Sequence, residues 1–87
     1  MSAAAPDVTV AIVSFNTREV LDACLGALAR SEGVALEVVV VDNGSGDGSA
    51  EMVAQRHAWA RLIRNAENRG FAAANNLALR EARAPFW

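Results

Sequence analysis

The sequence predicts an α/β layered fold with a mostly parallel sheet, and two observations carry that expectation. Val8 to Phe15 (VTVAIVSF) and Leu36 to Val41 (LEVVVV) are short, nearly unbroken apolar runs rich in β-branched residues. Runs of that kind, without clean alternation, belong to strands covered on both faces. Helix-like segments then alternate with strand-like ones along the chain, giving β-α-β-α-β-α and the stub of a further strand at Phe86-Trp87.

Each element has a local reason. Between the two apolar runs, Leu21, Cys24, Leu25 and Leu28 fall at i, i+3, i+4 and i+7, one apolar stripe on a helix. Asn16 suits the N-cap of that helix, Glu19 completes a capping-box-like pair, and Gly33 supplies the stop. Residues 8–41 thus have the length a right-handed βαβ crossover needs. A polar loop with three glycines, Asp42 to Ser49, follows the second strand. Residues 49–57 read as a short helix and Arg61 to Arg64 as a short strand. Asn65 to Arg69 reads as a turn, and Gly70 to Arg83 as an Ala-rich helix led by Phe71 and ended by Pro85. The expected organisation is a flexible N-terminus over residues 1–7 and a partial domain over 8–87.

Composition narrows the function classes. Eighty-seven residues allow one small domain or a piece of a larger one. Eight basic residues, all arginine, against ten acidic ones give a net charge of −2, so no nucleic-acid partner is expected. An apolar fraction of 53% suits a packed core rather than a disordered tail. Cys24 is the only cysteine, which excludes a disulfide framework. No apolar run approaches the roughly 20 residues that span a bilayer. The opening Met1-Ser2-Ala3-Ala4-Ala5-Pro6 has no signal-peptide pattern, and a cytoplasmic location is expected.

In an open α/β sheet, ligands bind beyond the carboxyl ends of the strands. Three polar segments fall there: Ser14-Phe15-Asn16-Thr17, Asp42 to Ser49, and Asn65 to Gly70. Each alone reads as a turn; three at one edge point to a binding site. The glycine loop matches no common phosphate cradle. Ser49 stands where a dinucleotide fingerprint needs its third glycine, and the loop follows the second strand rather than the first. The chain has no lysine for a P-loop, and Ala54 occupies the last position of a calcium loop counted from Asn43. What remains is Asp42, a strand-end carboxylate able to accept hydrogen bonds from a nucleobase imide or a ribose hydroxyl. Phe15 could stack on a base or simply fill the core. Arg69 could meet a phosphate or be solvated. His57 reads as a surface residue, Cys24 as core filler, and Glu51 and Glu67 as isolated carboxylates.

Taken together, VTVAIVSFNT (8–17), VVVDNGSGDGS (39–49) and NRGFAAANN (68–76) are in an order and spacing that can be identified. Over residues 7–87 the chain resembles the amino-terminal half of an inverting, GT-A-fold glycosyltransferase of family two, especially the rhamnosyltransferase-like branch. The resemblance implies a Rossmann-like GT-A nucleotide-binding half, truncated before the metal-motif strand. It implies transfer of a sugar from a UDP or dTDP donor to an acceptor hydroxyl, for cell-wall polysaccharide biosynthesis. By that resemblance Ser14, Phe15 and Asn16 form the first nucleotide-contact motif, with the aromatic ring on the base. Asp42 matches the carboxylate that holds the base, with Asn43 and Gly44 beside it. Asn68, Arg69, Gly70 and Asn76 match the loop and helix bordering the nucleotide and its phosphates.

The resemblance also implies a divalent metal, Mg or Mn, whose ligands lie beyond Trp87 together with the general base. The expected partners are a nucleotide-diphosphate sugar and, for the full enzyme, an acceptor glycan or lipid-linked sugar. The expected place is cytoplasmic, peripheral at the inner face of the plasma membrane. Residues 1–87 alone are expected to be inactive and to self-associate through an exposed sheet edge. Two other classes stay open at this stage: a receiver- or flavodoxin-like regulatory module, for which the missing lysine is unfavourable, and a relic that binds nothing.

Overall fold

The computed structural model describes residues 7–30 and 35–81. Six elements alternate: β1 (Val8–Ser14), α1 (Arg18–Ala29), β2 (Leu36–Asn43), α2 (Ser49–Arg56), β3 (Arg61–Asn65) and α3 (Phe71–Arg80). The strands form one parallel sheet in the order β1-β2-β3. Residues 1–6 of the expected flexible N-terminus, the Gly33 stop, Pro85 and the Phe86-Trp87 stub lie outside the described residues.

Alternation along β2 divides the core into two layers. Val38 and Val40 pack with Leu21 and Leu25 of α1 and Met52 and Val53 of α2. Val39 and Val41, both fully buried, pack with Ala74 and Ala78 of α3. Helices α1 and α2 therefore share one face and α3 crosses to the other. This explains the unbroken valine run, since a strand with helices on both sides has no wet face to mark with polar residues. The alanines of α3 allow that helix to lie close against the sheet.

Polar groups lock the layers at their margins. At the amino ends of the strands, Thr9 Oγ1 donates to Glu37 Oε1 at 2.8 Å, and Arg61 bridges to Glu81 after α3 at 3.0 Å. Between α1 and α2, Asp22 takes Arg56 and His57, each at 2.7 Å.

Three local expectations are corrected. His57 is buried rather than on the surface, because Asp22 supplies a partner for its ring from 35 residues away. Cys24 is exposed, since the buried line of α1 runs through Leu21 and Leu25. The N-cap of α1 is Thr17; Asn16 adopts a left-handed φ of 52° and its side chain reaches across to the next loop.

Candidate functional site

Because the strands are parallel, their carboxyl ends share one edge. Ser14 is in register with Asp42, and Asn43 with Asn65. Phe15 therefore leaves β1 one step past the partner of Asp42, and it is 45% exposed. It is not a core residue.

Asp42 is the chemical centre of this edge. It is only 3% exposed. Its Oδ2 accepts the Ser45 amide at 3.1 Å, while Oδ1 is the one buried side-chain polar atom without a hydrogen-bond partner among the described residues. The carboxylate lines a cleft of about 330 Å³ with Gly44, Ser45, Arg64, Asn65 and Ala66. Leaving a buried acceptor unpaired costs about 1–3 kcal/mol, so the open oxygen marks a position where a donor is wanted.

Asn43 points to the opposite face and organises the third loop. Its Nδ2 donates to Asn68 Oδ1 at 2.9 Å and to the Gly70 carbonyl at 3.3 Å. Its Oδ1 accepts from the Arg69 amide at 3.0 Å and from Asn65 Nδ2 at 3.1 Å. One buried amide thus does for the β3–α3 loop what a strand ladder does for its neighbours. Asn68 Oδ1 also takes the Gly70 amide at 2.7 Å, and Gly70 has a φ of 86° that favours glycine.

The β1–α1 and β2–α2 loops are joined in turn. The Asn16 amide donates to Ser45 Oγ at 2.9 Å, and Gly46 returns a bond to Asn16 Oδ1 at 2.8 Å. Ser14 Oγ lies 3.0 Å from Thr17 Oγ1. The Ser49 hydroxyl and amide, with the Arg18 amide, hold the Asp47 carboxyl below the usual carboxylate range.

The ten residues expected at the site are not all in one hollow. Asp42 and Gly44 line the cleft already described. Asn16 lines a neighbouring hollow of about 490 Å³ with Thr17, Arg18, Glu19, Val20 and Asp47. Arg69 and Asn76 line a groove of about 230 Å³ along α3 with Ala73, Leu77 and Arg80. Asn43, Asn68 and Gly70 shape the loop between the cleft and the groove. Sequence reasoning placed Ser45, Asp47 and Asn65 in the edge loops without giving any of them a contact, and it missed Arg64. Arg64 comes to the cleft only through its register with Asp42, and there it pairs with Glu51 at 2.6 Å, so Glu51 is not isolated. Among the described residues no three His, Cys, Asp or Glu side chains converge as a metal site. The described residues do not by themselves fit the divalent ion that the resemblance implies.

Comparison with known proteins agrees with this architecture. The succinoglycan biosynthesis proteins ExoO and ExoU of Rhizobium meliloti (strain 1021) are 35% and 42% identical, over 90% and 98% of this chain. An uncharacterized glycosyltransferase of Bacillus subtilis (strain 168), YfnE, is 42% identical over 86% of it. These alignments cover 23%, 26% and 20% of the relatives, so the chain spans about a quarter of their length or less. Among solved structures, the mannosyltransferase PcManGT from Pyrobaculum calidifontis, in complex with GDP-Man and Mn2+, is 34% identical. It superposes with a TM-score of 0.77 over 92% of this chain and 25% of its own. The model of glycosyl transferase family 2 matches residues 9–87. On that match, and on the α/β sheet it shares with a solved mannosyltransferase, this chain belongs to glycosyl transferase family 2.

Proposed function

We propose that the carboxyl edge of this sheet binds the nucleoside diphosphate of a sugar donor, UDP or dTDP. On this reading the whole protein transfers the sugar, with inversion, to a hydroxyl of a glycan or lipid-linked acceptor. The observation that supports it is the open Oδ1 of Asp42, buried in a cleft at the sheet edge. Uracil and thymine each present a single imide N–H, which one open carboxylate oxygen satisfies; guanine presents two adjacent donors. Phe15, one residue past the register partner of Asp42 and half-exposed, is assigned the stacking on the base. Ser14, Asn16, Asn43, Gly44, Asn68 and Gly70 set the loop shapes, and Arg69 with Asn76 extends the site toward the phosphates.

Two succinoglycan proteins among the relatives favour an envelope or exported polysaccharide as the product, made at the inner face of the plasma membrane. Among the described residues no helix is long and apolar enough to cross a membrane. β1 pairs on one side only among those residues, and its other edge is the surface through which residues 1–87 self-associate. The metal and the general base are assigned to the rest of the protein, so residues 1–87 bind donor without turning it over.

Titration calorimetry with UDP, dTDP, GDP and dTDP-rhamnose tests the reading. UDP or dTDP is expected to bind more tightly than GDP. Asp42→Asn should lose about 1.5–3 kcal/mol, roughly ten- to a hundredfold, because it removes a charged acceptor. Tighter binding of GDP would overturn the choice of base, and no binding of any nucleotide at saturation would overturn the site.

A further inference from the structure

Asp47 belongs to no expected contact with the donor, yet it caps two helices at once. Its Oδ2 accepts the amide of Arg18, the first residue of α1, at 3.1 Å. Its Oδ1 accepts the amide of Ser49, the first residue of α2, at 3.0 Å, and the Ser49 hydroxyl at 2.5 Å. Neither helix takes a side-chain bond from its own N-cap residue, Thr17 or Gly48. The Arg18 guanidinium completes the clasp on the Asp47 carbonyl at 3.5 Å. A carboxylate is well suited to this place, since it meets two amide donors and the positive ends of two helix dipoles.

The consequence reaches Asp42 through Ser45. Ser45 Oγ receives the Asn16 amide, and the Ser45 amide donates to Asp42 Oδ2. Fixing the starts of α1 and α2 relative to each other therefore fixes how far the Phe15-Asn16 turn stands from the carboxylate. We propose that Asp47 is a positioning residue of the donor site: it sets the width of the crevice between the first two loops before any nucleotide arrives. This rests on the nucleotide reading above. A crevice already at its bound width spares the ligand the cost of ordering two loops.

The test uses the 87-residue chain. UDP and dTDP affinity is measured for wild type, Asp47→Ala, Asp47→Asn and Asp22→Asn, each corrected to the same folded fraction. Asp47→Ala should weaken binding about tenfold, a typical coupling magnitude. Asp47→Asn keeps one acceptor oxygen for one helix and should recover part of that loss. Asp22→Asn breaks the α1–α2 pairing elsewhere; it should lower the melting temperature and leave affinity unchanged, which separates positioning from stability. Amide exchange at Arg18 and Ser49 should accelerate together in Asp47→Ala. Affinity of Asp47→Ala within twofold of wild type, or an equal loss in Asp22→Asn, overturns the proposal. A wild-type chain that binds neither nucleotide sinks the nucleotide reading alone. Amide exchange then decides: protection of Arg18 and Ser49 that does not depend on Asp47 overturns the proposal.

Discussion

Replacing Gly44 by alanine isolates the demand that the candidate site makes on the backbone. Gly44 has a φ of 85°, and a Cβ there would lie 2.8 Å from the Glu67 carbonyl carbon, 2.9 Å from Glu67 Cα and 3.0 Å from the Asn68 nitrogen. All three are backbone atoms, so no side chain can swing aside. The left-handed conformation costs a non-glycine residue about 1–2 kcal/mol, and forcing atoms into a filled space adds about 1–3 kcal/mol. Reduced freedom of the unfolded chain returns about 0.4–1 kcal/mol. The net loss is about 1–4.6 kcal/mol, or a melting temperature lower by on the order of 4–35 °C for a domain of this size. Gly46, two residues on, is the internal control: nothing lies within 4 Å of its Cβ position and its φ is not in the left-handed range. Gly46→Ala should stay within about 0.5 kcal/mol of wild type. Thermal unfolding followed by circular dichroism compares the two. A Gly44→Ala melting temperature within 2 °C of wild type, taking ~2 °C as the resolution, or equal damage from both variants, would refute the idea that the second and third loops are in backbone contact.

Two further outcomes follow from burial and charge. Leu25→Ala, at a fully buried position between sheet and helices, should cost about 2–5 kcal/mol in urea unfolding. Val20→Ala on the same helix, 72% exposed, should cost under about 0.5 kcal/mol. Asp22, Asp47 and Glu51 are all held below the ordinary carboxylate value. For Asp22 the cause is first the His57 hydrogen bond; for Glu51 it is first the bond from its own amide, then Arg64. A folded-state value below the unfolded one gives stability that is present above about pH 4 and lost as pH falls through the folded value. The urea midpoint should therefore hold from neutral pH down to about 5 and then fall, with a shallower fall in Asp22→Asn; an identical acid profile in that variant would count against the Asp22 cluster.

Element type and the parallel pairing of the first two strands were legible because continuous β-branched runs and a glycine-rich loop are local signals; the order β1-β2-β3 was not. Asp42, Gly44 and the three-loop edge were legible for the same reason: parallel strands bring the ends of successive runs together wherever the register falls. The remainder depended on distance in sequence. Asn16 and Glu19 have the spacing of a capping box, yet Asn16 is drawn to Gly46 and Ser45, about thirty residues on. His57 reads as solvated until Asp22 is placed beside it, and Arg64 reads as a strand-end cation until the register sets it opposite Asp42. Asp47 had one readable sign, an acidic residue two positions before a helix start, which points to its cap on α2 but not to the one on α1.

The buried Asn43 amide has a chemical consequence over time. Asn-Gly is the dipeptide most prone to cyclise to a succinimide, because no side chain on the glycine hinders attack by its nitrogen on the amide carbon. Here four hydrogen bonds hold that amide still, so the folded chain should age slowly at this position. Once unfolded, the same dipeptide is unprotected, and the aspartate or isoaspartate that forms can no longer donate to Asn68 and Gly70. Mass spectrometry of chains held folded or in urea should show deamidation at Asn43 in the second sample alone. The bonds that hold the third loop in place also shield it from irreversible damage, and a molecule that lingers unfolded loses the means to close that loop again.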